Sequence, residues 1–187
     1  NRCGDQGHLG CVNSRRAYKD KAYRVELKTV EPAAKSGDPA AQNRLGEMYE
    51  FGYGVSRDTS AALSWYSMAA KQGLVQAEHN LGRAYNFGSG VAQDFAQAEQ
   101  WYRKAAEQGH MDAMFFLGAM YSNSHGSDAS QQTNITAYAW LQNALELGNP
   151  TASAIQSRIV MKLSDTELEQ AKLLATEYKN KYVTPFK

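Results

Sequence analysis

The chain has 187 residues, of which 43% are hydrophobic and 21% are charged, and its formal net charge at pH 7 is +1. This composition argues against a disordered chain and against a generally basic nucleic-acid-binding protein. No apolar run of about eighteen residues is present, so the sequence predicts no membrane span.

Residues 1–17 are expected to form a flexible N-terminal segment, and both cysteines, Cys3 and Cys11, lie in it. Three interpretations stay open. The pair closes a small loop as a disulfide, both thiols are free, or Cys3, His8 and Cys11 ligate a metal for which no fourth ligand is evident. The disulfide is favoured. Together with a removed export signal, it predicts a periplasmic rather than a cytoplasmic protein.

Charge is unevenly distributed along the chain. Residues 1–35 contain eight Lys or Arg against four Asp or Glu, a net +4, whereas the remainder has twelve against fifteen, a net −3. The basic N-terminal part either contacts an acidic surface or is a solvated leader.

A block of thirty-six residues recurs through the middle of the chain. Residues 38–73 and 74–109 are identical at sixteen of thirty-six aligned positions. A fixed period of this length predicts a stack of units that bury their apolar faces against one another. The residues that mark the period are Leu45, Leu81 and Leu117; Tyr49, Tyr85 and Tyr121; and Gly54, Gly90 and Gly126.

Each unit is predicted to form two antiparallel helices. In the first unit Asp38 and Pro39 start one helix, because aspartate caps an N-terminus and proline is tolerated at the first helical position. Asp58 starts the second helix, and glycines end both. The apolar stripes are Ala41, Leu45, Met48 and Tyr49 on the first helix, and Ala62, Trp65, Tyr66, Ala69 and Ala70 on the second.

The expected organisation is an all-α solenoid over residues 18–182, with about four antiparallel helix pairs and about nine helices. Repeats cover 38–73, 74–109 and 110–148, and the third carries three extra residues within the polar stretch 122–133. Residues 18–37 and 149–182 are expected to form capping helices, because the ends of a repeat array must shield its core. Residues 183–187 are expected to be a tail.

The spaced residues of 41–73 and 77–109 closely resemble the Sel-one-like repeat, a relative of the tetratricopeptide repeat with a slightly longer unit. In the first unit they are Ala41, Leu45, Gly46, Tyr49, Gly52, Gly54, Val55, Asp58, Ala62, Trp65, Tyr66, Ala69, Ala70 and Gly73. The resemblance implies a right-handed α-solenoid whose concave face is lined by the first helix of each pair. It also implies an adaptor, and some exported members of the family bind and neutralise secreted effector enzymes.

The sequence predicts no catalytic, cofactor-binding or metal-binding residues. The glycine pairs follow helices rather than strands, nucleophile and metal-ligand motifs are lacking, and the histidines of the repeats occupy unrelated positions. A cysteine-rich branch of the family has been tied to β-lactam binding, but its cysteine pairs are lacking from these repeats. A β-lactam hydrolase is therefore the least favoured reading.

The face of each first helix opposite the apolar stripe is the remaining candidate for a functional surface. Positions two before, two after and five after the repeated leucine are expected to face the concave groove. They form an acidic, then a mixed, then an apolar surface. The predicted partner-binding residues are Asn43, Glu47 and Glu50; His79, Arg83 and Asn86; and Phe115, Phe116 and Ser122, with Ala119 beside them.

Phe115 and Phe116 stand out, because the equivalent positions in the other repeats are polar. Two accounts stay open. The longer loop at 122–133 or the C-terminal helices cover the two rings, or the rings are an exposed anchor for a partner.

The function predicted from these features is a non-catalytic protein that binds another protein, with no nucleic acid or membrane span involved. The sharper hypothesis is an immunity-type inhibitor of a secreted effector, such as a type VI secretion lipase, in a bacterial periplasm. The alternative is an envelope scaffold or regulatory adaptor that assembles several proteins.

Overall fold

The computed structural model describes residues 8–125 and 133–186, and within these ranges the chain forms nine α-helices and no strand. A π-helical turn, Lys179–Val183, and a 3₁₀ turn, Thr184–Phe186, follow the last helix. The helices are α1 (His8–Lys35), α2 (Pro39–Phe51), α3 (Thr59–Lys71), α4 (Val75–Phe87), α5 (Phe95–Ala106), α6 (Met111–Ser122), α7 (Thr133–Glu146), α8 (Ala152–Val160) and α9 (Asp165–Tyr178).

The helices stack as consecutive pairs. Helix α2 packs on α3, α4 on α5 and α6 on α7, and α3–α4 and α5–α6 contacts join one pair to the next. Helix α1 closes one end on α2, while α8 and α9 close the other end on α7. The predicted all-α solenoid of helix pairs is confirmed.

Capping side chains start several helices, at Asp38 and Asp58 as predicted. Asp38 accepts a hydrogen bond from the Ala41 amide at 2.7 Å, and Asp58 and Asp94 cap α3 and α5 in the same way. A capping box starts α9, where Ser164 and Glu167 bond to each other's backbone amides.

The repeated Leu-Gly pair has a packing reason. A Cβ atom at Gly46, Gly82 or Gly118 would overlap with the second helix of the same unit, at Tyr66, Tyr102 and Leu141 respectively. The leucines beside these glycines are at most 1% exposed. The pair therefore brings the two helices of a unit close together over a buried leucine.

A second set of glycines brings neighbouring units together. Gly54 lies against the backbone of Tyr23 in α1, and Gly90 lies against the backbone of Thr59 in α3. Both glycines have positive φ, 70° and 75°. The turn inside each of the first two units therefore rests directly on the preceding helix.

The core follows the predicted stripes in part, and Ala41 and Tyr49 of the first stripe are only half-buried. Tyr66, Tyr102 and Trp140 are at most 2% exposed. Trp65 and Trp101, expected in the core, are only half-buried, and the Lys104 ammonium lies 4.9 Å from the Trp101 ring centroid. These two rings lie at the edge of the helix pair because the adjacent tyrosine takes the inner position.

Both ends of the array are more helical than the sequence predicted. Helix α1 begins at His8, although residues 1–17 were expected to form a flexible segment. From Cys11 to Glu31 the sequence contains no Gly or Pro, so nothing interrupts the helix. At the other end Val183, assigned to a tail, is 4% exposed, because the turns after α9 stay packed on the core.

Cys3 lies outside the described residues, as does the side chain of Cys11, so the predicted disulfide stays a prediction. None of the helices in the described ranges combines the length and the hydrophobicity needed to cross a membrane.

Candidate functional site

The candidate site is the face formed by the first helices α2, α4 and α6. The prediction that Asn43 and His79 face the groove is wrong, because they are only 7% and 5% exposed. The other predicted residues are half-buried on this face: Glu47, Glu50, Arg83, Asn86, Phe115, Phe116, Ala119 and Ser122.

Asn43 belongs to a polar contact between neighbouring first helices. The Asn80 amide nitrogen donates to Asn43 Oδ1 at 2.9 Å, and Asn43 Nδ2 donates to Glu47 Oε1 at 3.2 Å. These bonds satisfy side-chain groups that would otherwise be buried without a partner. Asn43 therefore joins α2 to α4.

Glu50 connects three helices. Its carboxylate oxygen Oε2 accepts from the Tyr66 hydroxyl at 2.6 Å and from Arg83 Nη2 at 2.5 Å. Burial, and then the hydrogen bond to Glu50, raise the pKa of Tyr66 well above its usual value. The Glu50–Arg83 pair is thus an internal tie between α2 and α4.

Glu47 is also paired. It accepts from Arg44 Nη1 at 3.0 Å, and Arg44 in turn makes a bidentate contact with Glu26 of α1 at 2.6 and 3.0 Å. The acidic surface predicted near α2 is therefore compensated by Arg44 of α2 itself and by Arg83 of α4.

His79 and His110 form a stacked pair with ring centroids 4.7 Å apart. His110 Nδ1 accepts from the Ala113 amide at 3.1 Å, so the proton of the neutral ring sits on Nε2, which lies 3.0 Å from Gln76 Oε1. Burial, with His110 and Arg83 nearby, lowers the pKa of His79 to about 3. Burial also lowers the pKa of His110. Both imidazoles are therefore neutral at pH 7.

Phe116 is the centre of an aromatic cluster. Its ring stacks on Tyr102 at 5.3 Å, lies 5.8 Å from His79, and meets Phe87 edge-on at 6.2 Å. Phe115 packs on it at 5.3 Å. Aromatic neighbours from α4, α5 and α6 thus cover much of Phe116, and residues 126–132 of the loop considered in the sequence lie outside the described part.

Beside this cluster is an open cleft of about 310 Å³. Phe87, Phe95, Phe115 and Phe116 form its apolar walls, and its polar rim is Asn86, Gln93, Asn123 and His125. No Lys, Arg, Asp or Glu lines it within the described ranges. We call it the α4–α6 cleft.

Two aromatic residues of this face were missed in the sequence. Phe51 and Phe87 end α2 and α4, are thirty-six residues apart, and are 49% and 62% exposed. The signal was available, because both belong to the identities between the first two repeats, while the third repeat has Asn123 at this position. Both positions lie outside the face opposite the apolar stripe, where the groove residues were predicted.

A second cleft, of about 490 Å³, lies at Phe51, one repeat before the first. It is lined by Arg16, Lys19, Asp20 and Tyr23 of α1 and by Tyr53, whose ring stacks on Tyr23 at 4.4 Å. We call it the α1–α2 cleft. The two clefts hold equivalent phenylalanines but differ in charge.

The described residues of this face offer binding surfaces. They contain no cluster of three His, Cys, Asp or Glu side chains that could hold a metal ion. The aspartates Asp38, Asp58 and Asp94 cap helices. This arrangement presents exposed aromatic rings beside polar rims.

A comparison with family models finds the Sel1 repeat at residues 39–74, 75–110 and 112–149. Each match begins one or two residues after the first residue of the repeat that the sequence predicted.

Solved structures give the same picture of the fold. A Sel1 repeat protein from Oxalobacter formigenes is similar with a TM-score of 0.62 and 32% identity, over 71% of this chain and 98% of that chain. A protective antigen of uropathogenic Escherichia coli strains that displays an SLR fold is similar with a TM-score of 0.56 and 28% identity. That match covers 86% of this chain and 42% of the antigen. No curated protein matches the chain.

Proposed function

Because the chain belongs to the Sel1 repeat family, whose α-solenoids generally serve as non-catalytic scaffolds for protein interaction, we propose that it binds a partner protein through the face of α2, α4 and α6. The observation that carries this proposal is the α4–α6 cleft, with an exposed phenylalanine at its edge. Exposed apolar surface that remains after folding is typical of an interaction site. Aromatic residues in such positions dominate binding energies.

The proposal extends to the kind of partner. The protein acts as an immunity-type inhibitor that binds and neutralises a secreted effector enzyme, such as a type VI secretion lipase, in the bacterial periplasm. The resemblance to exported family members supports this role, and the two early cysteines support an oxidising compartment. Fold likeness alone does not define a function, so a direct test is needed.

The test pairs the chain with the protein encoded beside its gene. We expect a one-to-one complex by size-exclusion chromatography with light scattering, and loss of the partner's enzymatic activity on mixing. Recovery of several partners without inhibition would instead indicate a scaffold. A chain that binds no neighbour-encoded protein, or that hydrolyses a reporter β-lactam, would overturn the inhibitor proposal.

A substitution tests the binding face. Phe115→Asp places a charge in the apolar wall of the α4–α6 cleft, and we expect it to weaken the complex at least tenfold. The matched control is Met68→Asp, because Met68 is 44% exposed but lies on a second helix, α3. Far-UV circular dichroism checks that both variants are folded. Equal affinities of the two variants would exclude this face.

A further inference from the structure

Phe51 and Phe87 repeat each other in position and in surroundings. Each is the last residue of a first helix, and each ring contacts the next first helix along the array. The guanidinium carbon of Arg83 on α4 lies 5.7 Å from the Phe51 ring centroid, and Phe116 on α6 lies 6.2 Å from that of Phe87. The repeat therefore places two exposed rings on one face in equivalent orientations.

Each ring forms one side of an open cleft. Phe51 lines the α1–α2 cleft and Phe87 lines the α4–α6 cleft. Among the residues of the three repeats that the structure describes, these are the only exposed aromatic side chains. The array thus offers two apolar sites one repeat apart.

The clefts differ in charge. Arg16 and Lys19 line the α1–α2 cleft with Asp20, and Arg24 lies in the adjoining depression, so cations outnumber anions there. The neighbouring acids of α1 are engaged elsewhere, since Glu26 pairs with Arg44 and Glu31 pairs with Lys35. The α4–α6 cleft has a rim of amides and His125, and no Lys, Arg, Asp or Glu lines it in the described ranges. An acidic group is favoured at the first site and an apolar, uncharged one at the second.

The spacing between the sites limits what can fill both. Helices α2 and α4 meet through the Asn43–Asn80 and Glu50–Arg83 contacts, and helices in contact lie about 10 Å apart. That distance is about three residues of an extended chain at roughly 3.3 Å per residue. One extended segment can therefore reach from one phenylalanine to the other. A helical segment rises about 1.5 Å per residue, so it would need more residues to span the same distance. Its two apolar side chains would also have to lie on the face that meets the clefts.

We propose that the two clefts together bind one extended segment of the partner protein. The segment carries two apolar side chains about three residues apart, one packed on Phe51 and one on Phe87, with acidic residues beside the first. This inference rests on the proposed function and adds the chemistry that the groove recognises.

The test is a selection from a phage-displayed library of random peptides on the full chain. We expect the enriched peptides to share two apolar residues about three apart and acidic residues at one end only. Fluorescence anisotropy of a labelled enriched peptide then gives the affinity for each variant. No enrichment, or enriched peptides without this spacing, would contradict the proposal.

Substitutions test whether Phe51 and Phe87 are the two residues on which the apolar side chains of the segment pack. Phe51→Ser and Phe87→Ser are each expected to lower the affinity for the peptide at least tenfold. The control Met68→Ser is expected to leave the affinity within twofold of the wild-type value. Lys19→Glu should weaken peptide binding at least threefold. Added salt should remove the difference in affinity between this variant and the wild type, because the charge interaction is exposed. Unchanged binding in either phenylalanine variant would refute the two-anchor arrangement.

The two proposals fail in different ways. If the neighbour-encoded protein forms its complex and the phenylalanine variants bind it normally, the inhibitor role stands and the two-anchor segment is wrong. If the peptides are selected as described but no neighbour-encoded partner binds, the recognition chemistry stands and the inhibitor role is wrong.

Discussion

Gly90 shows how much one residue can decide in this fold. It combines a φ of 75° with a position against the Thr59 backbone, so a Cβ atom there would overlap with that carbonyl oxygen. Backbone atoms of a helix cannot move aside as a flexible side chain can. The turn between α4 and α5 therefore tolerates only glycine at this position.

We expect Gly90→Ala to lower the free energy of unfolding by about 3 kcal/mol or more, since strain and overlap add. Gly73→Ala is the matched control. Its φ is 84°, but nothing lies within 4 Å of the added Cβ, so only the backbone strain of about 1–2 kcal/mol applies. Urea unfolding followed by circular dichroism measures both. Equal losses would show that the contact with α3 has no energetic role.

His79 gives the protein a pH-dependent stability. Its folded-state pKa of about 3 lies below the ordinary value of 6.5, because burial and the neighbouring His110 and Arg83 disfavour the charged ring. The unfolded chain therefore binds a proton that the folded chain does not, and stability falls as pH drops from 6.5 towards 3. Above pH 6.5 this residue contributes no pH dependence.

Replacing the imidazole should remove that contribution. His79→Asn introduces the residue found at the equivalent Asn43, and we expect its stability to fall less steeply on acidification, by up to about 1.4 kcal/mol per pH unit. Urea unfolding of wild type and variant between pH 7 and pH 4 gives the comparison. Parallel curves would show that His79 is accessible to protons in the folded state.

At the scale of the element, α9 is held to the array by a few specific contacts. Tyr178 of α9 and Tyr182 of the following turn pack on the buried Trp140, with ring centroids at 4.4 and 5.6 Å. Asn143 of α7 donates to the Ala139 carbonyl at 2.9 Å and to the Ala175 carbonyl of α9 at 3.0 Å. This amide links the last helix to the third repeat.

Asn143→Ala should lower the free energy of unfolding by about 1–2 kcal/mol, because Asn143 is 2% exposed and both bonds are lost. Hydrogen exchange should increase mainly in α9. Gln142→Ala serves as control, since its partly buried side chain bonds to Glu146 and Gln156, neither of which belongs to α9. A similar increase in α9 exchange for both variants would argue against the docking role of Asn143.

The helices were predictable because their signals are local. Asp38 and Asp58 cap the helices that they were expected to cap, since a cap depends on residues within one turn. The groove residues were harder. A first helix touches its own second helix and also the first helices on either side, so Asn43 and His79 are buried laterally although they lie away from the apolar stripe.

At the scale of the whole molecule, the thirty-six-residue period was sufficient to predict the stack. It could not reveal which surface charges are compensated between helices, because Glu26 meets Arg44 and Glu50 meets Arg83 only after distant segments have packed. Nor could it rank the aromatic residues by exposure. Phe51 and Phe87 are identities of the repeat, like the buried Tyr66 and Tyr102, and only the packing separates the two sets.

Stacked repeats contact their neighbours only, so a core defect should stay local. Leu81→Ala, at a site 1% exposed, should lower the free energy of unfolding by about 2–5 kcal/mol. It should also increase hydrogen exchange in α3 to α6 more than in α9. Leu173→Ala, at a site 72% exposed, should change stability by less than about 0.5 kcal/mol. A uniform increase across all helices would show that the array unfolds as one unit.

The contacts of Gly54 and Gly90 bear on how such a protein can diverge. They set the offset between successive units through main-chain atoms, and the side chains of the groove take no part in them. The exposed phenylalanines proposed to bind the partner, Phe51 and Phe87, are therefore separate from these main-chain contacts, whereas Glu50 and Arg83 of the same face also tie α2 to α4. Mutations at those two phenylalanines can change the partner while the pitch of the array is inherited unchanged, so a gene of this kind can acquire new specificities without first losing its architecture.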